Sequence, residues 1–167
     1  MDDRTNTFDK QALVAELRAR LAQSLERLRA SQNEAQSAAV HPEARQEHSK
    51  DMRATEASYV ARGLAERVEK LRDDVLAVER MPMRDFDAHE AASSGAIVIV
   101  VSDDDVQSTY LLAPAGGGER LVAGRSEVLV LTLQSPLGAA LTGVRCGDMI
   151  TAELPSGRHE LEVAGIF

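Results

Sequence analysis

Three carboxylates follow one another at four-residue intervals in the polar segment that separates two Leu- and Ala-rich stretches. They are Glu43, Glu47 and Asp51, and the last two share a helical face if the second helix begins before Glu47. Carboxylate oxygens are hard ligands suited to Mg²⁺, so even an exposed carboxylate can contribute to a metal site. Arg45 and Lys50 lie in the same segment, and an ordinary solvated loop would have this composition too.

Other polar motifs favour structural roles. The GGGER stretch at residues 116–120 lacks the downstream Gly-Lys-Ser/Thr of a phosphate loop and predicts a hairpin loop. Three consecutive acids, Asp103 to Asp105, point in divergent directions, which is typical of a solvated turn. The single Cys146 excludes an internal disulfide and a cysteine-rich zinc site, and we expect a reducing, cytoplasmic location.

Net charge and hydropathy disfavour two classes of partner, nucleic acids and membranes. A net charge of −8 disfavours binding to a phosphate backbone, which depends on many Lys and Arg contacts. We therefore expect no direct sequence-specific binding of nucleic acid. No apolar run reaches the length of about 18 residues that a membrane span needs, and the first residues are polar and acidic, so we expect no membrane association.

The chain divides into two halves with different hydrophobic periods. Residues 1–80 predict an antiparallel coiled-coil hairpin with its tip at about residues 40–52, an arm of roughly 45 Å. Residues 81–94 contain Pro82, Ser93 and Ser94 and predict a linker. The apolar seams are Val14, Leu17, Leu21, Leu28, Ala35 and Ala38 in the first helix, and Ala57, Ala61, Leu64, Val68, Leu71, Val75 and Val78 in the second.

Residues 95–167 predict a small β domain. Apolar and β-branched runs predict strands at residues 95–101, 108–113, 127–133, 148–154 and 159–167. Ser135 and Pro136 have the order of an N-cap and first helical position, and Gly143 can end the short helix. Gly157 can take a positive φ in the turn before the last strand. The predicted fold class is α+β, with one short helix on a curved antiparallel sheet.

The C-terminal residues from Ser135 to Ile166 resemble the signature of the Gre transcript-cleavage factors, a family of bacterial transcription elongation factors. A segment from Lys50 to Leu71, with the pattern D-x-R-x-x-E-A-S-Y, is similar to a divergent branch of GreA/GreB-like proteins. The resemblance implies a coiled-coil hairpin ahead of an FKBP-like domain. The matching positions are Ser135, Pro136, Leu137, Ala140, Leu141, Gly143, Gly147, Asp148, Pro155 and Gly157.

The resemblance also implies a function. Such a protein binds core RNA polymerase beside its secondary channel, as a monomer without a cofactor of its own. Its tip carboxylates then help the polymerase to hold Mg²⁺ and cleave backtracked RNA, so the chain is not itself an enzyme. Glu47 is the first candidate for this role, followed by Asp51 and Glu43. Gln134, Ser135 and Pro136 are the implied contacts with the polymerase.

Three other functions stay open. The family's leading tip Asp falls near Ala44, one position from Glu43, which favours a non-cleaving regulator that occupies the same channel. Heptads that pair between chains would instead give a homo-oligomeric adaptor. An FKBP-like domain also suggests a prolyl isomerase, but its pocket needs an aromatic lining and residues 95–167 offer only Tyr110 and Phe167.

Overall fold

Two long helices precede a six-stranded sheet that is interrupted in sequence by one short helix. The computed structural model describes residues 8–40, 50–87, 89–124, 126–154 and 157–167. The helices are α1 (Lys10–Val40), α2 (Lys50–Glu79) and α3 (Pro136–Leu141). The strands are β1 (Ile97–Ser102), β2 (Gln107–Ala113), β3 (Arg120–Ala123), β4 (Ser126–Thr132), β5 (Met149–Leu154) and β6 (Gly157–Ile166). The predicted α+β fold class is confirmed.

Polar contacts fix the start of α1 and the end of α2. Asp9 caps α1, because its Oδ1 accepts the backbone N–H of Ala12 at 2.9 Å. The Arg18 guanidinium donates to the carbonyls of Val78 and Glu79 at 3.4 and 2.9 Å. It thereby adds a donor at the last turn of α2, where the Val78 carbonyl also accepts the N–H of Met81 at 3.3 Å. Among the described residues, no helix is both long and apolar enough to cross a membrane.

The described residues form two compact units. The helical unit is Ala19–Leu76, and the β unit comprises residues 8–18 and 77–167. Because Arg18 contacts the end of α2 and only nine residues join the helices, α1 and α2 run in opposite directions. Leu21, Leu25 and Val68 are buried in the helical unit, where Leu25 belongs to neither predicted seam.

The sheet has the strand order β3-β4-β2-β1-β6-β5. Four of its five pairings are antiparallel, as predicted, but β2 and β4 pair in parallel because β4 inserts between β2 and the short edge strand β3. Sequence analysis missed β3, since residues 116–120 had been interpreted only as a loop. A register shift between Ile99 and Val100 interrupts the pairing of β1 with β6.

The core of the β unit includes residues from the start of α1 and from the segment between α2 and β1. Leu13, Val14 and Leu17 of α1 are buried, and the Leu17 side chain fills the space beside Gly116. The rings of Phe8 and Phe167 meet edge to face with centroids 5.4 Å apart. Met81, Phe86 and Ala92, from the segment interpreted as a linker, are also buried. The division of the chain into a domain that ends at residue 80 and a domain that begins at residue 95 stays a prediction.

Candidate functional site

The predicted tip carboxylates fall at the margin of the described residues. Glu43 and Glu47 lie outside them. Asp51 is the second residue of α2, so its backbone is helical, while its side chain lies outside the described part. The role of all three in metal binding therefore stays a prediction.

The loop before α3 brings the second set of predicted residues together. Ser135 has φ −66° and ψ 151°, the extended conformation of an N-cap, and its Oγ accepts the N–H of Gly138 at 3.1 Å. The same hydroxyl donates to the carbonyl of Thr132 at 2.7 Å. Pro136 takes the first helical position, as predicted. Ser135 thus joins the end of β4 to the start of α3.

The end of α3 is fixed against the segment that precedes the sheet. The Thr142 hydroxyl donates to the carbonyl of Gly138 at 2.7 Å. Gly143 has φ 87°, a left-handed conformation that favours glycine, and its N–H donates to the carbonyl of Ala92 at 2.7 Å. Ala92 in turn donates to Val144 at 2.8 Å. Both ends of α3 are therefore held by hydrogen bonds, some from side-chain hydroxyls and some from the backbone.

What this loop presents to solvent follows from its burial. Gln134 and Pro136 are exposed, and Ser135 is half-buried. The surface offers an amide that can donate and accept, an apolar ring, and one remaining lone pair of the Ser135 hydroxyl.

The remaining positions of the C-terminal motif have local structural roles. Asp148 Oδ2 accepts the N–H of Arg145 at 2.8 Å, and Arg145 Nε donates to the carbonyl of His89 at 3.2 Å. Gly147 and Gly157 have φ values of 89° and 125°. Pro155 lies outside the described residues. The predicted positive φ of Gly157 is confirmed.

A polar groove of about 330 Å³ lies over β2, β3 and β4. Arg120 and Glu127, which form an ion pair, line one part of it. Its one aromatic lining residue is Tyr110, which is itself buried. Its other lining residues are Gln107, Ser108, Thr109, Ser126 and Leu129. This groove is not the aromatic pocket that a proline ring would need.

One cluster was missed by sequence analysis. His159 Nδ1 lies 2.9 Å from Asp103 Oδ1, although 56 residues separate them along the chain. The sequence shows the acids but no spacing that links them to a histidine on the last strand. Only the pairing of β1 with β6 brings them together.

Comparison with known proteins gave matches among solved structures only. No protein-family model and no curated protein matches this chain. The GreA factor homolog 1 (Gfh1) of Thermus thermophilus matches at 22% identity, covering 90% of this chain and 94% of that one, with a TM-score of 0.40. Thermus aquaticus Gfh1 matches at 22% identity, covering 89% and 92%, with a TM-score of 0.38.

A third match is the transcription elongation factor GreA/GreB from Nitrosomonas europaea. It is 17% identical, covers 57% of this chain and 77% of that one, and has a TM-score of 0.37. These solved structures are thus of Gfh1 and GreA/GreB proteins.

Proposed function

We propose that this protein is a transcription elongation factor of the Gre type that binds RNA polymerase at the secondary channel. In this proposal the α3 loop docks on the polymerase and the helical unit delivers the tip carboxylates to the polymerase active site. The chain supplies side chains, and the polymerase supplies Mg²⁺ and the cleavage chemistry.

One observation carries the proposal. The motif that resembles the Gre signature folds into a loop in which Ser135, Pro136 and Gly143 each have the conformation that their residue type favours. The same loop leaves Gln134 and Pro136 exposed for a partner. A local capping role accounts for Ser135 and Pro136 equally well, so the binding experiment below has to separate the two roles.

The helices support the proposal through their length and their surface. α1 and α2 contain 31 and 30 residues and run antiparallel, which corresponds to about 45 Å of helix each at 1.5 Å per residue. Near the start of α2, Tyr59 and Val60 are 73% and 57% exposed. An antiparallel pair of this length is the element that a channel-binding factor needs.

Binding is tested by co-purification of the full chain with core polymerase. We expect a stable complex, a weaker one for Gln134→Ala, and an unchanged one for Ala139→Ser. Ala139 is an exposed residue of α3 that makes the last variant a matched control on the same element. If wild-type protein does not bind the core enzyme at all, the proposal is wrong.

Cleavage is tested separately on stalled, backtracked complexes. We expect the wild type to shorten the RNA, and Glu47→Ala and Asp51→Ala to lose this effect while still binding. Glu56→Ala removes an exposed carboxylate farther along α2 and serves as the control. If the wild type binds but leaves the RNA length unchanged, the protein is a non-cleaving regulator of the channel, as the shifted position of Glu43 would favour.

Oligomeric state is an independent test. Light scattering is expected to give a monomer, because the heptads pair within one chain. A stable dimer that dissociates when Leu25 is replaced by Asp would instead favour an adaptor assembled through the helices.

A further inference from the structure

His159 faces two carboxylates at the turn between β1 and β2. Its Nδ1 lies 2.9 Å from Asp103 Oδ1 and 4.0 Å from Asp104 Oδ2. One potential ligand atom from each of the three residues lies within 4.8 Å of the others. The turn that was predicted to be merely solvated is therefore joined to a histidine.

Backbone hydrogen bonds hold this arrangement. The N–H of Asp103 donates to the carbonyl of Glu160 at 3.2 Å, one step beyond the paired residues Ser102 and Leu161. Asp105 closes the turn with a donation to Ser102 at 2.9 Å and has φ 58°. The carboxylates are thus carried by a hairpin anchored to the strand that carries the imidazole.

The imidazole is more deeply buried than the two carboxylates. Leu161 and Val163 point into the core, and His159 is the next residue on the same face of β6. Its side chain is 16% exposed, whereas those of Asp103 and Asp104 are 53% and 72% exposed. Both carboxylates are therefore open to solvent, whereas the imidazole is mostly covered.

The donor set suits a particular class of cation. One imidazole nitrogen with two carboxylate oxygens favours Zn²⁺, Co²⁺ or Ni²⁺, whereas Mg²⁺ and Ca²⁺ prefer oxygen alone. Ligands at about 2.1 Å from a tetrahedral Zn²⁺ ion lie about 3.4 Å apart. The distances from His159 Nδ1 to Asp103 Oδ1 and Asp104 Oδ2, 2.9 and 4.0 Å, lie on either side of this value.

We propose that Asp103, Asp104 and His159 form a binding site for a divalent transition metal such as Zn²⁺, with water in the remaining coordination positions. The site lies wholly in the β unit and does not depend on the proposed role in transcription.

The test is titration of the full-length protein with Zn²⁺ by calorimetry, and with Co²⁺ by visible absorption, near neutral pH. We expect one site in the micromolar range and a cobalt absorption band from nitrogen and oxygen ligands. His159→Asn and Asp103→Asn should each weaken binding by about tenfold or more, because outer-sphere changes alone typically cost that much. Asp104→Asn removes the third proposed ligand and should also weaken binding. Circular dichroism checks that each variant is folded.

Matched controls separate this site from other metal ligands. Asp105→Asn makes the same charge change in the same turn, and asparagine tolerates its left-handed φ. His89→Asn removes an exposed imidazole elsewhere in the β unit, and a double variant at His41 and His48 removes the other two histidines of the sequence. All three should bind as the wild type does. No saturation at millimolar metal, or binding that survives His159→Asn, would overturn the proposal.

Discussion

The carbonyl oxygen of Thr132 occupies the place into which a β-carbon on Gly138 would project. The clash is with backbone, which cannot move aside as the end of a flexible side chain would. Gly138 is buried in the first turn of α3, close to the Ser135 hydroxyl that caps the helix. The close approach of β4 and α3 therefore depends on the absence of a side chain at this position.

Gly138→Ala is expected to destabilise the β unit by about 1–3 kcal/mol, because overpacking forces the backbone of α3 or β4 to shift. Gly63→Ala is the control, since nothing lies within 4 Å of a β-carbon there and the residue lies inside α2. That change should stabilise the protein by about 0.5–1 kcal/mol. Denaturant unfolding of both variants measures the difference, and equal effects would contradict this account.

Two substitutions at Ser135 can separate its role as a helix cap from its proposed role in partner contact. Ser135→Ala removes both hydrogen bonds of the hydroxyl and should cost about 1 kcal/mol of stability. Ser135→Asp keeps an acceptor for the Gly138 N–H and should recover much of that loss. Thermal unfolding gives the stabilities, and polymerase co-purification gives binding. If Ser135→Asp recovers stability and binding together, the serine acts only through the shape of the loop.

Arg18 is expected to stabilise the end of α2. Arg18→Ala leaves the carbonyls of Val78 and Glu79 without their guanidinium donor and should cost about 1 kcal/mol. The control is Arg62→Ala, which removes an exposed ion pair with Glu66 at 3.2 Å and should cost at most about 0.5 kcal/mol. Urea unfolding compares the two. A larger loss for Arg62→Ala would show that Arg18 does not cap the helix.

The pKa of Asp103 lies below its ordinary value of 3.8, first because of its hydrogen bond with His159. A carboxylate with a lowered folded pKa stabilises the protein above pH 3.8, and this contribution disappears as the pH falls through the folded value. His159→Asn should raise the pKa of Asp103 toward 3.8, whereas His89→Asn should leave it unchanged. Carbon NMR of the Asp103 carboxyl follows both titrations. The same midpoint in all three proteins would exclude His159 as the cause.

Much of the fold follows from local sequence patterns. Periodicity predicts the seam residues of α1 and α2 and the strand-forming runs. Residue type and order predict the Ser135-Pro136 cap. The structure places helices and strands at those positions. The edge strand β3 could not be predicted in this way. It has only four residues, includes the exposed Val122, and owes its conformation to pairing with β4.

The two candidate sites also differ in how far local sequence could predict them. Gln134, Ser135 and Pro136 are contiguous, so the sequence could predict their proximity. His159 and Asp103 meet through the register of β6 on β1, and the shift between Ile99 and Val100 changes which residues lie opposite each other. Alternation of apolar residues predicts which face a side chain takes, but not its register against a neighbouring strand.

The position of β6 between β1 and β5 has a consequence for biosynthesis. β1 contains the buried run from Ile97 to Val100, and one of its edges has no partner until the ribosome has delivered β6 about 60 residues later. During that interval an apolar strand presents an open edge, the feature that promotes aggregation of nascent chains. Truncations within β6 are therefore expected to accumulate in inclusion bodies, even though they leave α1, α2 and the α3 loop intact.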